Sequence, residues 1–196
     1  MRNLLAFDLG ASNGRAILGQ FDGETITMRE LHRFENNYIE MNGVFYWDLP
    51  YLYNQLKQGL LAFKNANVGE LDCIGIDTWG VDYGLLDRNG RLMANPTHYR
   101  DTRTVGISDY VSRFVSAEEI YKVTGIQAID FNTLNQLAAE GRDDPDMLAR
   151  AEQMLFIRAL EAAAEAGAGA TGCAVECGNC TAPTNKSFVP DMISSL

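Results

Sequence analysis

The chain has 196 residues, and its composition, with 46% hydrophobic and 21% charged residues, is that of an ordinary globular protein. That length can hold one substantial hydrophobic core, or one domain with a tail. The formal net charge of -10 argues against nucleic acid or an anionic membrane surface as a partner. Because the N-terminus lacks a signal-peptide pattern and no apolar run approaches ~18 residues, the sequence predicts a cytoplasmic protein.

The first predicted elements are two strands with a polar turn between them. Residues 4–7 form an apolar run, and the turn that follows is rich in small polar residues. A second strand over residues 15–21 ends at Asp22-Gly23, a strong hairpin signal. The turn therefore does not open a helix, which excludes the Walker-type and Rossmann phosphate loops.

The composition of this first turn nevertheless suits a phosphate group. Its glycines let the main chain approach a ligand closely, Ser12 and Asn13 add side-chain donors, and Arg15 supplies a cation for phosphate oxygens. Asp8 would repel that phosphate unless a hard cation such as Mg²⁺ lay between them, usually held through water. The alternative is a tight turn with a solvated aspartate, because short motifs also match by chance.

The next segment completes the start of an α/β domain. Residues 25–34 alternate as a third strand, and residues 36–47 indicate a loop with a short β-ribbon. Asp48 is a plausible N-cap for a helix running to about residue 65. The apolar residues spaced for its buried face are Leu52, Leu56, Leu60 and Phe63. Three strands followed by a helix predict a sheet with an antiparallel edge.

The second polar turn repeats the logic of the first. An apolar strand over residues 73–76 ends at Asp77 and leads into Thr78, Trp79 and Gly80. Ligands in open α/β sheets collect at the carboxyl ends of such strands. If this strand is a neighbour of the one that ends at Asp8, both turns face one crevice.

Aromatic residues near this turn allow two interpretations. Trp79 and Tyr83 are either core anchors or, beside aspartate and glycine, residues that stack on a sugar ring. A lone histidine such as His98 is more often a structural residue than a catalytic one, although histidine suits proton transfer. The remaining pattern predicts a strand over residues 81–86, helices that cover one face of the sheet, and a last strand. Those helices span residues 102–114, 117–123, 132–141 and 143–152, and the strand spans 154–157.

Three segments together resemble a known family. D-L-G-A-S-N-G-R at 8–15, I-G-I-D-T-W-G-V-D-Y-G-L-L-D at 74–87 and Y-R-D-T-R-T at 99–104 are similar to the N-terminal domain of the FGGY carbohydrate kinases. The resemblance runs from about residue 4 to 157 and is strongest to the branch that phosphorylates L-rhamnulose. It implies the α/β, ribonuclease H-like fold shared with actin and hexokinase, with a mixed sheet, an antiparallel β-meander and covering helices.

The resemblance also implies a reaction and a set of site residues. The reaction is transfer of the γ-phosphoryl group of ATP to the 1-hydroxyl of a ketose, here L-rhamnulose, with Mg²⁺ as cofactor. The residues implied to contact the ATP phosphates are Ala11, Ser12, Asn13, Gly14 and Arg15, with Asp8 near the metal. Gly80 is implied to contact the sugar, and the weaker candidates around it are Trp79, Asp82, Tyr99 and Arg100.

The last part of the chain departs from the family pattern. The resemblance implies a catalytic aspartate beyond the first 200 residues and a second domain that holds adenosine, so we expect residues 1–157 to be the N-terminal domain of an incomplete, inactive kinase. Residues 158–196 begin with an alanine and glycine run and are expected to be a disordered tail.

The alternative is a non-catalytic binding module or remnant with a cysteine-rich, metal-binding tail. Cys173, Cys177 and Cys180 have a C-x3-C-x2-C spacing that could hold an iron–sulfur cluster. Only 16 residues follow them, too few for the barrel of a radical enzyme. A closed zinc site would need a fourth ligand.

Overall fold

The computed structural model describes residues 1–160 of the chain. The predicted tail lies outside these residues apart from its first three positions, and its three cysteines lie outside them entirely. Within residues 1–160 no helix is both long enough and apolar enough to cross a membrane.

The elements follow the predicted order closely. The strands are β1 (Arg2–Leu9), β2 (Asn13–Phe21), β3 (Ile26–Glu35), β4 (Ile39–Met41), β5 (Val44–Tyr46), β6 (Cys73–Thr78), β7 (Tyr83–Leu86) and β8 (Gln153–Phe156). The helices are α1 (Leu49–Asn65), α2 (Ile107–Val111), α3 (Ala117–Thr124), α4 (Thr133–Asp143) and α5 (Pro145–Arg150), with a 3-10 turn at Thr102–Thr104.

The described residues form two compact units that alternate along the sequence. The first consists of Met1–Asn37 and Leu49–Trp79, together with the few described residues from Arg158 onward. The second consists of Tyr38–Asp48 and Gly80–Ile157. The boundary after Trp79 divides the second predicted turn between the two units.

The first unit is built on a four-stranded sheet in the order β3-β2-β1-β6. β1, β2 and β3 form the predicted antiparallel meander, and β6 runs parallel to β1. Alternate residues of β1 are buried, namely Leu5, Phe7 and Leu9, because successive side chains of a strand point to opposite faces.

Helix α1 belongs to the same core and buries the predicted face. Its fully buried leucines, Leu52, Leu56 and Leu60, join the sheet residues in one hydrophobic cluster, and each contributes about 2 kcal/mol by leaving water. Gly59 lets the helix approach the sheet, since a Cβ there would overlap the ring of Phe7.

The second unit contains two short antiparallel ribbons, β4-β5 and β7-β8, and helices α2 to α5. Ile107, Val111 and Ala139 form a small core between α2 and α4. The prediction of one helix over residues 102–114 is wrong. Gly106 adopts a φ of 70°, which separates the 3-10 turn from α2.

Candidate functional site

The two strands that end in aspartates are neighbours, which meets the condition that the sequence left open. β1 and β6 pair in parallel, and the register sets Asp8 opposite Asp77. Parallel partners share a face and an end of the sheet, so both polar turns leave the first unit from the carboxyl ends of adjacent strands. Asp77 is exposed and Asp8 is half-buried.

A buried asparagine holds the first turn in shape. Gly10 N–H donates to the Asn13 carbonyl at 2.9 Å, closing the turn. Asn36 Nδ2 donates to the Gly10 carbonyl at 2.7 Å, and Asn36 N–H donates to the Ser12 carbonyl at 3.0 Å. The sequence indicated only a loop at Asn36, because asparagine is common in loops and its long-range partner has no local signal. With these bonds made, Ser12 and Asn13 remain exposed at the tip.

Charged side chains form a row beside this turn. Arg15 lies opposite Asp8 across β1 and β2, and the two side chains form an ion pair. Arg33 lies opposite Arg15 across β2 and β3 and donates to Asn13 Oδ1 at 3.2 Å. Arg33 also pairs with Glu30, and this hydrogen bond lowers the pKa of the Glu30 carboxyl. The sequence did not single out Arg33, whose place beside the turn depends on the strand register.

Gly14 has a packing role that the sequence did not indicate. A Cβ at this position would overlap the ring of Phe34, which belongs to the core of the first unit. Because the ring occupies that space, only glycine fits without a shift of the core. The main chain at Gly14 therefore packs closely against the Phe34 ring, and this contact requires a glycine with or without a ligand at the turn.

The described residues offer few metal ligands. Residues 1–160 contain no group of three or more histidine, cysteine, aspartate or glutamate side chains that could hold a metal ion. The carboxylates at the ends of the two strands are Asp8 and Asp77. A phosphate-bound Mg²⁺ is commonly held by one or two carboxylates.

Two of the predicted sugar residues, Asp82 and Tyr99, are in contact in the second unit. Asp82 is fully buried, and its Oδ2 accepts hydrogen bonds from Trp47 Nε1 at 2.6 Å and from Tyr99 N–H at 3.3 Å. Its Oδ1 accepts from Gln136 Nε2 at 2.8 Å. Asp82 therefore has no surface left for a ligand in this structure.

Tyr99 lies in a run of aromatic rings. Its ring stacks on His98 at 4.6 Å and approaches Phe131 at 5.4 Å, and the Arg100 guanidinium lies 5.4 Å from its centre. Tyr99 and Phe131 are half-buried and Arg100 is exposed, so this end of the run reaches the surface. Phe131 was not predicted as a site residue, because nothing in its own segment indicates the contact with Tyr99.

His98 is a structural residue in this arrangement. It is buried between Trp47 at 4.0 Å and Tyr99, and its Nδ1 accepts from Arg100 N–H at 2.9 Å. Burial, followed by the charge of Arg100, lowers the pKa of His98 to about 4, so the ring is neutral at pH 7.

The two aromatic residues with open interpretations both contribute to packing. Tyr83 is buried in β7, and its hydroxyl lies 3.5 Å from Glu140 Oε2. Burial raises the pKa of this tyrosine. Trp79 is half-buried and packs against the hydrophobic cluster of the first unit.

Gly80 is free of packing constraints. It is exposed, its φ is not left-handed, and a Cβ added there would meet no atom within 4 Å. Together with Val81 it borders a cavity of about 420 Å³ in the second unit, whose lining is mostly apolar and includes Val111, Ile120 and Phe156. That volume is within the range of small-molecule sites.

The chain belongs to the FGGY family of carbohydrate kinases, because the family's N-terminal domain matches residues 3–160. This membership and the observed sheet confirm the predicted ribonuclease H-like fold class. A gluconate kinase from Lactobacillus acidophilus has the same fold, with a TM-score of 0.71 and 14% identity over 82% of this chain and 32% of its own.

Two relatives of higher identity are rhamnulokinases. The rhamnulokinase of Mannheimia succiniciproducens is 43% identical over 157 residues, which are 79% of this chain and 32% of the relative. That of Bacteroides thetaiotaomicron is 43% identical over 158 residues, which are 80% of this chain and 32% of the relative. The chain thus spans about a third of the length of these curated relatives.

Proposed function

We propose that this chain supplies the phosphate-binding turn and the sugar-binding residues of an ATP-dependent ketose kinase. The substrate of this kinase is L-rhamnulose, and the product is L-rhamnulose 1-phosphate, an intermediate of rhamnose catabolism in the cytoplasm. The parallel pairing of β1 with β6, which sets Asp8 opposite Asp77, carries the proposal. Family membership and 43% identity to two rhamnulokinases support the choice of substrate.

On the phosphate side, residues 11–15 take the nucleotide phosphates. Ser12 and Asn13 are exposed donors at the tip of the turn, and Arg15 stands beside them. Because Arg15 neutralises Asp8, the carboxylate repels an approaching phosphate less than a free aspartate would. Arg33 adds a second cation within hydrogen-bond distance of Asn13.

Mg²⁺ fits this side as a cation held by one or two carboxylates and by the phosphates themselves. Asp8 would hold it, with Asp77 as the adjacent carboxylate. When bound, the ion neutralises charge that develops on the transferred phosphoryl group. The protein's own contribution to such a transfer is mainly positioning and electrostatic stabilisation, which suits residues placed on turns.

On the sugar side, Gly80 lets the substrate approach the main chain, and Tyr99 offers an aromatic face with Arg100 beside it. Trp79 is the remaining aromatic candidate. The cavity that Gly80 borders has a volume in the range of small-molecule sites, and its apolar lining offers a surface for the single methyl group of a 6-deoxy sugar.

No aspartate of the described residues is proposed as the general base, so this chain is expected to bind its ligands without turnover. Asp82 is buried and Asp8 is paired with Arg15. The alternative, a binding module with a metal-binding tail at Cys173, Cys177 and Cys180, predicts iron or zinc in the purified chain. A metal-free protein would remove that alternative.

Ligand titrations followed by nuclear magnetic resonance test the proposal. The chain should bind both ATP and L-rhamnulose, and Gly80→Ala should weaken sugar binding about tenfold, because a methyl group would occupy the line of approach. Gly75→Ala is the matched control, since a Cβ there also meets no atom within 4 Å. A coupled assay for ADP release, with the Bacteroides thetaiotaomicron rhamnulokinase as positive control, measures turnover. A chain that binds ATP but no ketose would contradict the proposed substrate.

A further inference from the structure

Asp82 is the centre of a buried hydrogen-bond network in the second unit. Three donors meet its carboxylate: the Trp47 indole, the Tyr99 main chain and the Gln136 amide. Trp47, Asp82 and Gln136 are each at most 1% exposed. A buried carboxylate is costly in free energy unless donors of this kind compensate it. Loss of any one of the three donors would therefore destabilise the buried Asp82 carboxylate.

Gln136 extends the network to two further segments. Besides Asp82, its Nε2 contacts the Val81 carbonyl at 3.2 Å and the Phe131 carbonyl at 2.9 Å. Its Oε1 accepts from Arg103 Nη2 at 2.9 Å. This one side chain therefore ties α4 to the segment after Gly80 and to the segment before α4.

The charged groups around the contact between Asp82 and Gln136 come from two elements. Arg103, in the 3-10 turn, bonds to Gln136 and pairs with Glu140 of α4 at 2.7 Å. The Tyr83 hydroxyl lies near the same glutamate. Arg103, held by this ion pair, fixes the orientation of the Gln136 amide. Because Arg103 Nη2 donates to the amide oxygen, the amide nitrogen faces Asp82.

Two of the proposed sugar residues of this unit, Gly80 and Tyr99, adjoin the network, and so does Phe131, whose ring lies next to Tyr99. Gly80 lies two residues before Asp82, and the Tyr99 main chain donates directly to Asp82. Phe131, whose ring approaches Tyr99, is held through its carbonyl by Gln136. A change in the contact between Asp82 and Gln136 would therefore disturb Tyr99 and Phe131 directly, and Gly80 through the neighbouring Val81 carbonyl.

We propose that Asp82 and Gln136 are positioning residues for sugar binding, and that Asp82 does not contact the sugar. The inference rests on the proposed function. It replaces the role that the family resemblance implied for Asp82, which is completely buried, and it gives Gln136 a role that the sequence did not indicate.

A reciprocal exchange tests this pair. Asp82→Asn keeps an oxygen toward Trp47 and Tyr99 but turns an NH₂ group toward the Gln136 amide nitrogen, so that two donors meet. Gln136→Glu sets two carboxylates against each other. In the double variant, the amide introduced at position 82 donates to the carboxylate introduced at position 136, which restores one hydrogen bond across the contact.

The measurements are the affinities of the 196-residue chain for L-rhamnulose and for ATP, and the amide resonances of Gly80 and Tyr99 without sugar. Each single variant should weaken L-rhamnulose binding about tenfold or more, as loss of a hydrogen bond to a charged group does. ATP affinity should stay within about twofold. The double variant should recover part of the sugar affinity, because the carboxylate at position 136 restores the contact with position 82 but cannot donate to the Val81 and Phe131 carbonyls. The two amide resonances should shift in each single variant and move back toward their original positions in the double variant. Should a single variant not fold, Trp47→Phe removes one donor to Asp82 and supplies the same comparison.

The outcomes separate this inference from the proposed function. If no ketose binds the unaltered chain but both resonances shift and then move back in the double variant, Asp82 and Gln136 still position Gly80 and Tyr99, and the proposed substrate alone fails. If the unaltered chain binds L-rhamnulose and the single variants bind it equally well, the positioning is refuted. Parallel loss of sugar and ATP affinity without recovery in the double variant would also refute it, because that pattern reports general destabilisation.

Discussion

Gly14 is a predicted phosphate contact that the structure shows to have a packing role as well. The sequence indicated a glycine that lets a phosphate approach the main chain, and the structure adds that the Phe34 ring fills the space of its missing side chain. Phe34 belongs to the core of the first unit, so it has little freedom to move away.

Gly14→Ala should therefore destabilise the protein even without ligand. Overpacking of a filled core costs about 1 to 3 kcal/mol, measurable as a fall in the free energy of unfolding in urea. Gly75→Ala, in the neighbouring part of the same sheet, should leave it unchanged or raise it by up to about 1 kcal/mol, since its Cβ meets no atom within 4 Å. Equal stability of Gly14→Ala and the unaltered chain would mean that the Phe34 ring does not fill this space.

His98 predicts a pH dependence of stability. Burial lowers the pKa of His98 to about 4 in the folded protein, from an ordinary value of 6.5. Between these values the unfolded chain binds a proton that the folded protein does not, so stability is complete above about pH 6.5 and falls as the pH falls toward 4. The loss is at most about 3 kcal/mol.

His98→Asn provides the comparison, because Asn Oδ1 can accept from Arg100 N–H but does not titrate. The free energy of unfolding should depend less on pH between 6.5 and 4 in this variant than in the unaltered chain. Carboxylates such as Asp143, whose pKa is lowered by Arg142, titrate in both proteins and cancel in the difference. Parallel curves for the two proteins would show that His98 titrates normally.

At the scale of elements, local patterns predicted most of the fold because the responsible interactions are local. The apolar run at residues 4–7 predicted β1, and the helical spacing of leucines predicted α1 together with its buried face. The failure at residues 102–114 has a local cause too. Asp101 accepts from Arg103 N–H and caps a 3-10 turn, and Gly106 then adopts a left-handed conformation that separates this turn from α2.

Gly106→Ala distinguishes this broken arrangement from a continuous helix. At a φ of 70° an alanine costs about 1 to 2 kcal/mol, so the variant should unfold at a lower urea concentration. Gly106→Asn should cost less, because asparagine tolerates the left-handed region better. An alanine variant with more helical circular dichroism and higher stability would instead indicate that the segment prefers one helix.

At the scale of the molecule, the candidate site was predictable where it depends on strand order and not where it depends on distant side chains. Both aspartate-tipped strands were predicted from the sequence, which left their adjacency as a condition, and the structure pairs them in parallel. The contact between Asp82 and Gln136 joins residues 54 positions apart, and that between Asn36 and Gly10 joins residues 26 apart. Neither leaves a periodic or compositional signal in the sequence.

The division of the predicted residues between two compact units leads to a last prediction, for hydrogen exchange of the 196-residue chain. Asp8 and residues 11–15 belong to the first unit, whereas Gly80, Asp82, Tyr99 and Arg100 belong to the second. ATP with Mg²⁺ should therefore slow amide exchange chiefly in the turn after β1, because bound phosphates shield its N–H groups. L-rhamnulose should slow exchange at residues 80–82, 99–100 and 131.

The aldose L-rhamnose is the matched control, since it offers similar hydroxyls without the ketose arrangement, and it should protect these amides less at equal concentration. Protection by L-rhamnulose confined to the turn after β1 would contradict the assignment of the sugar to residues of the second unit. Because each ligand is added alone, the two patterns can be compared directly. The assignment requires them to differ, with the sugar pattern centred on the residues that Asp82 and Gln136 hold in place.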